Sequence, residues 1–271
     1  MRFSFIQRVQ KSVRNAGLVA TARRAGGIPS RLFRSSMTRY RRWKLEHSTD
    51  PRVVFSMIRE LNIWDDSESV SGPGSTLAYT ESLRRTLPTV FERYLIGRML
   101  DAPCGDFNWM RKLVAATPID YIGGDIVPDL IAANQRAHGS GRIRFQEFDI
   151  TRDPLPDVDL WFCRDCLFHL SLRQIHAALQ NFAASKGRYI LVTNHRDAGA
   201  GSNRDIRTGG FRKLDLMAAP FHLPADVRFR IQEGPAQDSD HEMCLWEREQ
   251  IVAALPRFKA ALDSLSTSPA E

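Results

Sequence analysis

From Arg98 onward, short apolar runs alternate with stretches whose apolar residues recur every three or four positions. That rhythm predicts strands alternating with helices, and hence a mainly parallel sheet covered on both faces. The strand candidates are RMLDAP (98–103), YIGGD (121–125), IRFQEFDI (143–150), DVDLWFCRD (157–165) and RYILVTN (188–194). Helices are expected between them at 106–116, 128–138 and 171–184. Pro128 suits a first helical turn and Gly139 a helix end, while Ser171 with Gln174 spells a capping box. VRFRIQE (227–233) and HEMCLWERE (241–249) follow one another with only a turn between them, so they are expected to pair antiparallel at a sheet edge.

Upstream of the sheet, residues 51–96 read as a helical cap interrupted by the loop SESVSGPGST (67–76). Gly72, Pro73 and Gly74 fix a turn there, and the position just before the first strand suits a loop that closes over a ligand. Further upstream, Phe5, Ile6, Val9 and Val13 recur at helical spacing among Arg2, Arg8, Lys11 and Arg14, a short basic amphipathic helix that Gly26, Gly27 and Pro29 soon interrupt. Such a helix suits an anionic membrane surface or an acidic partner. Residues 1–50 hold twelve Lys or Arg against Glu46 and Asp50, so the chain's net charge of +7 is concentrated in this extension.

No run is long and apolar enough to span a bilayer. Four cysteines in 271 residues are too few for a secreted disulfide framework, so reduced thiols and a cytoplasmic protein, peripheral to the membrane at most, are expected. Cys163 and Cys166 form a C-x-x-C pair, but no second ligand pair completes a structural zinc site, and no metal is expected. Cys163 is expected to pack within its strand and Cys166 to line the pocket. Trp109, Trp161 and Trp246 are expected to pack the domain.

In an open α/β sheet, ligands bind at the carboxyl ends of the strands, beside the point where strand order reverses. The polar residues fall at those ends. The first strand runs out in LDAPCGDFNWM, with Asp101 at its tip and Gly105 in the turn, where a missing side chain lets the backbone approach a ligand. Asp125 ends the second strand at the offset where a carboxylate accepts the hydroxyls of an adenosine ribose. Phe148, Asp149 and Ile150 end the third, placed to bracket an adenine and meet its amino group. A dinucleotide would need a diphosphate at the glycine turn, but Pro103, Asp106 and Phe107 crowd that place and Asp106 would repel it.

With these residues in place, the sequence resembles the class I S-adenosylmethionine-dependent methyltransferases. Their D-x-G-x-G-x-G motif is matched here by Asp101, Pro103, Gly105 and Phe107, a departure that keeps the acid and the middle glycine. LDAPCGDFNWM, YIGGDIVPDLI and RDCLFHLS together look like a bacterial methyltransferase family carrying that variant, and the likeness runs from about Ser69 to Trp246. It implies a Rossmann-like, seven-stranded, mostly parallel sheet with an antiparallel last strand, flanked by helices and preceded by a helical N-terminal extension. The expected organisation is a basic extension (1–50), a helical cap with the GPGST loop (51–96), an S-adenosylmethionine-binding methyltransferase domain (97–255) and a C-terminal tail (256–271).

Carried over residue by residue, the likeness implies that Asp101 and the backbone of Ala102, Pro103, Cys104 and Gly105 hold the methionine end of S-adenosylmethionine. Asp125 would grip the ribose, Ile126 and Ile150 would lie against the adenine, and Asp149 would face its amino group. Arg164, Asp165 and His169 follow the fourth strand, where the transferable methyl is expected. His169 is the first candidate for a general base, because imidazole titrates near neutrality; Asp165 and then His195 are alternatives. The Gly-rich segment 194–211 suits a lid or acceptor loop, with Asn203, Asp205, Arg207 and Arg212 as contacts to an anionic or hydroxyl-rich acceptor. A small molecule or glycan is the expected acceptor. Nucleic acid is disfavoured because the body shows no basic, aromatic-studded groove. A nicotinamide oxidoreductase, an RNA methyltransferase and a catalytically silent, membrane-associated binding protein are the alternatives.

Overall fold

The computed structural model describes residues 38, 41–196, 198, 199, 201–234 and 240–267. The amphipathic pattern at 1–15, and most of the basic extension, lie outside the described residues. Seven strands form one sheet: β1 (Arg98–Asp101), β2 (Asp120–Asp125), β3 (Ile143–Glu147), β4 (Leu160–Cys163), β5 (Tyr189–His195), β6 (Phe229–Gln232) and β7 (His241–Glu247). Their order is β3-β2-β1-β4-β5-β7-β6. β1 to β5 run parallel, whereas β7 pairs antiparallel with both β5 and β6. After β3 the chain crosses back to place β4 on the far side of β1, so the order reverses between β1 and β4 and opens a crevice there.

Beyond the helical stretch 41–47, the helices of the described residues are α1 (Pro51–Glu60), α2 (Glu81–Arg93), α3 (Met110–Ala116), α4 (Pro128–His138), α5 (Leu172–Ala183) and α6 (Arg248–Thr267). In α1, Asp50 accepts the Arg52 N–H at 2.9 Å and Pro51 occupies the first turn, where no intrahelical N–H bond is lost. Val54, Met57 and Ile58 bury one face of that helix. Both arms of the capping box of α5 form: the Gln174 N–H donates to Ser171 Oγ at 3.3 Å, and the Ser171 N–H to Gln174 Oε1 at 2.9 Å. Apolar residues fill the space on both faces of the sheet, around Trp161, Phe182 and Trp246 on one and around Leu87, Met99 and Phe162 on the other.

Two expectations about element boundaries need correction. The helix expected from residue 106 begins at Met110, because Gly105 and Phe107 adopt positive φ (54° and 58°) and the chain finishes its turn first. Residues 256–267 are not a tail. They belong to α6, which buries Ile251, Phe258 and Leu262 against the core. Pro256 inside that helix removes one backbone donor and makes the sequence look like a helix end, while the apolar contacts hold the helix together. Among the described residues, no helix is long and apolar enough to cross a membrane.

Candidate functional site

A cleft with about 1100 Å³ of empty space, open solvent included, lies outside the carboxyl ends of β1, β2 and β4. Of the expected cofactor contacts, Asp101, Pro103, Cys104, Gly105, Asp125, Ile126, Asp149, Ile150 and Arg164 line it, together with Asp165 and His169. Ala102 does not: it is fully buried, with its N–H bonded to the Phe162 carbonyl and its own carbonyl accepting the Trp161 indole.

The turn after β1 is closed to anions. The Cys104 N–H donates to the Gly124 carbonyl (2.8 Å), that of Gly105 to Asp125 Oδ2 (3.1 Å), that of Asp106 to Ser71 Oγ (3.2 Å) and that of Phe107 to the Cys104 carbonyl (3.4 Å). Pro103 has no N–H to give. A phosphate at a helix start is held by free N–H groups, and this turn has spent all of its own. What it offers a ligand is carbonyl oxygen, which suits a cationic group.

Two buried carboxylates face that turn. Asp101 is 3% exposed and accepts the Tyr121 hydroxyl at 2.6 Å. Burial pushes its carboxyl up to about 7, against the opposing hydrogen bond from Tyr121. Asp125 is raised to about 6, again by burial, although the N–H groups of Val127 and Gly105 pull the other way. Asp149 is held by Thr151, whose N–H and hydroxyl both donate to Oδ1, at 2.9 and 2.6 Å. Val127, Leu130 and Phe148 add an apolar wall beside Ile126 and Ile150.

The outer wall comes from upstream. Pro51, Phe55 and Arg59 of α1, then Trp64, Val70, Ser71 and Ser75, line the cleft, so the 67–76 loop does lie over it. Asp106 fastens that loop by accepting the Ser69 hydroxyl (2.9 Å) and the Val70 N–H (2.9 Å). Asn108 adds bonds to Glu68 and to the Ser75 carbonyl. A Cβ on Gly105 would sit 2.2 Å from Ser71 Oγ, so only glycine allows this approach. The α1 contribution had no legible signal in the sequence, since Phe55 and Arg59 look like ordinary helix residues.

Past β4, His169 closes a 3-10 turn, and its Nδ1 lies 2.6 Å from the Gly210 carbonyl. A carbonyl can only accept, so Nδ1 carries the proton and Nε2 keeps its lone pair. Burial lowers the pKa of His169, which favours the neutral ring. Trp64, Phe168 and Phe211 surround it, with ring centroids at 5.7, 4.5 and 6.1 Å. His195 is placed elsewhere. It is buried, does not line the cleft, and its Nδ1 accepts the Leu214 N–H at 3.2 Å. Burial carries it down to about 4.

The acceptor loop is built differently from the expectation. Asn203 ties down the loop by donating to the carbonyls of Asp215 and Ala219, both at 2.7 Å, and Asp205 caps α5 through the Leu172 N–H at 2.8 Å. Arg212 is 2% exposed and donates to the Leu170 carbonyl at 2.7 Å; burial lowers it to about 10. None of these three lines the cleft, nor does Arg207, which is an exposed cation. All four cysteines are free and buried, and Cys166 lines the cleft whereas Cys163 does not. Trp161 and Trp246 pack as expected, with indole N–H groups satisfied by the carbonyls of Ala102 and Pro224, while Trp109 also reaches the cleft.

Beside Asp165 lies a buried charged cluster that sequence reading did not assemble. Arg164 donates from Nε to Glu233 Oε1 (2.7 Å), from Nη1 to Asp165 Oδ2 (3.0 Å) and from Nη2 to the Gly74 carbonyl of the loop (2.9 Å). His241 Nε2 donates to Asp165 Oδ1 at 3.1 Å, and its Nδ1 lies 3.0 Å from the Tyr79 hydroxyl. Burial pushes Asp165 up, but Arg164 and His241 outweigh it and hold the carboxyl well below its usual range. Asp165 also takes a positive φ of 50°. Such backbone strain persists where surrounding contacts over-determine it, commonly at functional positions.

Residues 99–185 match a family model described as a methyltransferase domain, a span that covers β1 to β4 and α5. No curated protein matches the chain. Among solved structures, the human N-acetylserotonin methyltransferase in complex with SAM is 16% identical, covering 89% of this chain and 66% of that one, with a TM-score of 0.46. The chain thus spans just under two thirds of that relative. The N-methyltransferase NodS of Bradyrhizobium japonicum WM9, in complex with S-adenosyl-l-homocysteine, is 19% identical over 65% of this chain and 87% of that one, at 0.48. The magnesium protoporphyrin IX methyltransferase of Synechocystis, with bound SAH, is 11% identical over 73% and 100%, at 0.49. Likenesses this distant carry nothing about substrate. Residues 99–185, which carry β1 to β4 of the sheet, are similar to a methyltransferase domain.

Proposed function

We propose that this chain, whose residues 99–185 match the model of a methyltransferase domain, transfers the methyl group of S-adenosylmethionine to a hydroxyl of a small molecule or glycan. The observation that carries the reading is the pairing of two buried carboxylates, Asp101 and Asp125, with a glycine turn that has no free N–H. Carboxylates and carbonyls attract an ammonium and ribose hydroxyls, and they repel the diphosphate that a nicotinamide cofactor would bring. In this assignment Asp101 and the carbonyls of the turn hold the methionine end, Asp125 the ribose, and Asp149 the adenine amino group between Ile126 and Ile150.

Methyl transfer from a sulfonium is an in-line displacement, so the protein's main tasks are alignment and removal of the acceptor's proton. His169 Nε2 is the base in this reading, because its lone pair is fixed by the Nδ1 bond to Gly210 and the ring lines the cleft. Asp165, held ionised by Arg164, receives a hydrogen bond from the acceptor and is too weak a base to keep its proton. The basic extension is proposed to meet an anionic membrane surface, which flotation with lipid vesicles before and after deletion of residues 1–50 tests.

Calorimetry with S-adenosylhomocysteine and with NAD tests the assignment directly. Binding of the first alone, weakened at least tenfold by Asp125→Ala, is the expected outcome. Binding of NAD alone would replace the reading by the oxidoreductase one.

A further inference from the structure

The cluster beside the cleft contains an oxygen that the protein leaves unanswered. Glu233 is 1% exposed, and its Oε2 has no hydrogen-bond partner among the described residues. It points towards His241 Nε2, 3.6 Å away, which in turn lies 3.1 Å from Asp165 Oδ1. These three atoms, from the ends of β4, β6 and β7, all lie within 4.8 Å of one another. We propose that Asp165, Glu233 and His241 form a binding site for one divalent transition-metal ion at the edge of the cleft.

Two of the donor separations, 3.1 and 3.6 Å from His241 Nε2, are close to what such an ion needs. Bonds of about 2.0–2.2 Å to nitrogen and oxygen place neighbouring donors about 3.0–3.5 Å apart in tetrahedral or octahedral geometry. The outer groups are arranged as a metal site requires. Arg164 holds Glu233 Oε1 and Asp165 Oδ2, which turns the other oxygen of each carboxylate towards the shared point. Tyr79 stands at His241 Nδ1 and fixes the ring. One imidazole and two carboxylates suit Mn²⁺ or Zn²⁺ better than a soft thiolate-seeking ion. Three protein ligands leave further positions open, and Asp165, the ligand that lines the cleft, gives the ion a way in and a direction towards the acceptor.

The competing occupant of this point is a proton on His241. An imidazolium bonded to Asp165 balances the cluster, with Arg164 and His241 against two carboxylates, but it leaves Glu233 Oε2 without a hydrogen bond. A divalent ion displaces that proton and contacts all three atoms. It leaves a net positive charge, which stabilises an acceptor hydroxyl as it loses its proton. This assignment rests on the methyltransferase reading only for the ion's use, since the site itself is tested without turnover.

The full chain is titrated at pH 7.5 with Mn²⁺ and, separately, Zn²⁺ by calorimetry, alongside S-adenosylhomocysteine in the same cell. One ion per chain is expected, with proton release and a raised Tm. Electron spin-echo spectra of the Mn²⁺ form should show modulation from a directly bound imidazole nitrogen, a readout that needs no variant. Glu233→Gln, near-isosteric and still a partner for Arg164, should weaken ion binding at least tenfold while the cofactor analogue binds as before. Absence of ion binding, absence of nitrogen modulation, or a folded Glu233→Gln chain that binds the ion undiminished would each overturn the site. Failure of the analogue to bind would instead count against the cofactor reading.

Discussion

Acidification should loosen the cofactor far earlier than ordinary carboxylates would allow. Asp101 and Asp125 are raised to about 7 and about 6, chiefly because burial penalises their charge. Between pH 8 and pH 5 the ionised fraction falls to about one in a hundred for the first and about one in ten for the second. If the ligand's ammonium requires ionised Asp101, its Kd weakens about 100-fold over that range, and by up to about 1000-fold, or about 4 kcal/mol, if the ribose also requires ionised Asp125. Carboxylates at their ordinary 3.8 would stay almost wholly ionised at pH 5 and leave the Kd nearly flat.

The assay is calorimetry with S-adenosylhomocysteine at half-unit pH steps from 5 to 8. Asp101→Asn should remove the steeper part of the dependence and leave the roughly tenfold part owed to Asp125. The ligand-free protein gives an independent check of sign. Both groups hold protons more tightly folded than unfolded, so their contribution to stability is greatest below about 4 and is lost as pH rises towards 7. The rise in Tm on adding the ligand should therefore grow across the same window. A wild-type Kd that is flat from pH 5 to 8 would refute the reasoning.

Gly105→Ala forces a Cβ to within 2.2 Å of Ser71 Oγ at a φ of +54°. It should cost about 1–3 kcal/mol in urea unfolding and weaken analogue binding; an unchanged Tm would contradict the close approach of the loop. Phe258→Ala empties a position 1% exposed in α6, packed 4.8 Å from the Phe221 ring. Unfolding should show a loss of about 3–5 kcal/mol, against near zero for a residue in a free tail. His169→Gln should lower kcat by about 10²–10⁴ with an acceptor in hand, with the analogue's Kd little changed. Equal losses in both would make His169 a cofactor contact instead.

The strands and their ends were legible because a buried parallel strand needs an unbroken apolar run, and its polar terminus then stands out. LDAPCGD and YIGGD show this directly, whereas the third strand, IRFQE at the sheet's edge, stops at Glu147 and leaves Asp149 in the loop beyond it. The order of the strands, and with it the crevice between β1 and β4, followed only through the family likeness. Polar residues in the 194–211 segment misled for a related reason. Asn203, Asp205 and Arg212 look like ligand contacts in a Gly-rich stretch, yet each satisfies backbone groups of neighbouring segments, at Asp215 and Ala219, at Leu172 and at Leu170. Polar side chains of a loop serve the backbone packed against them as readily as a ligand, and composition does not separate the two uses.

What the sequence determined by itself, then, is local: where the chain runs straight, where it turns, and which carboxylates sit at strand ends. Periodicity and turn chemistry act between neighbours a few residues apart, and these suffice to place Asp101 and Asp125. Tertiary structure alone decided what covers the cleft and what surrounds Asp165. Arg59 reaches the cleft from α1, and Glu233 and His241 reach Asp165 from strands 68 and 76 positions further along the chain. Such meetings depend on the antiparallel pairing of β6 with β7 and on the close fit of a loop over one glycine. Both are set by packing across the whole sheet, and no local pattern encodes them.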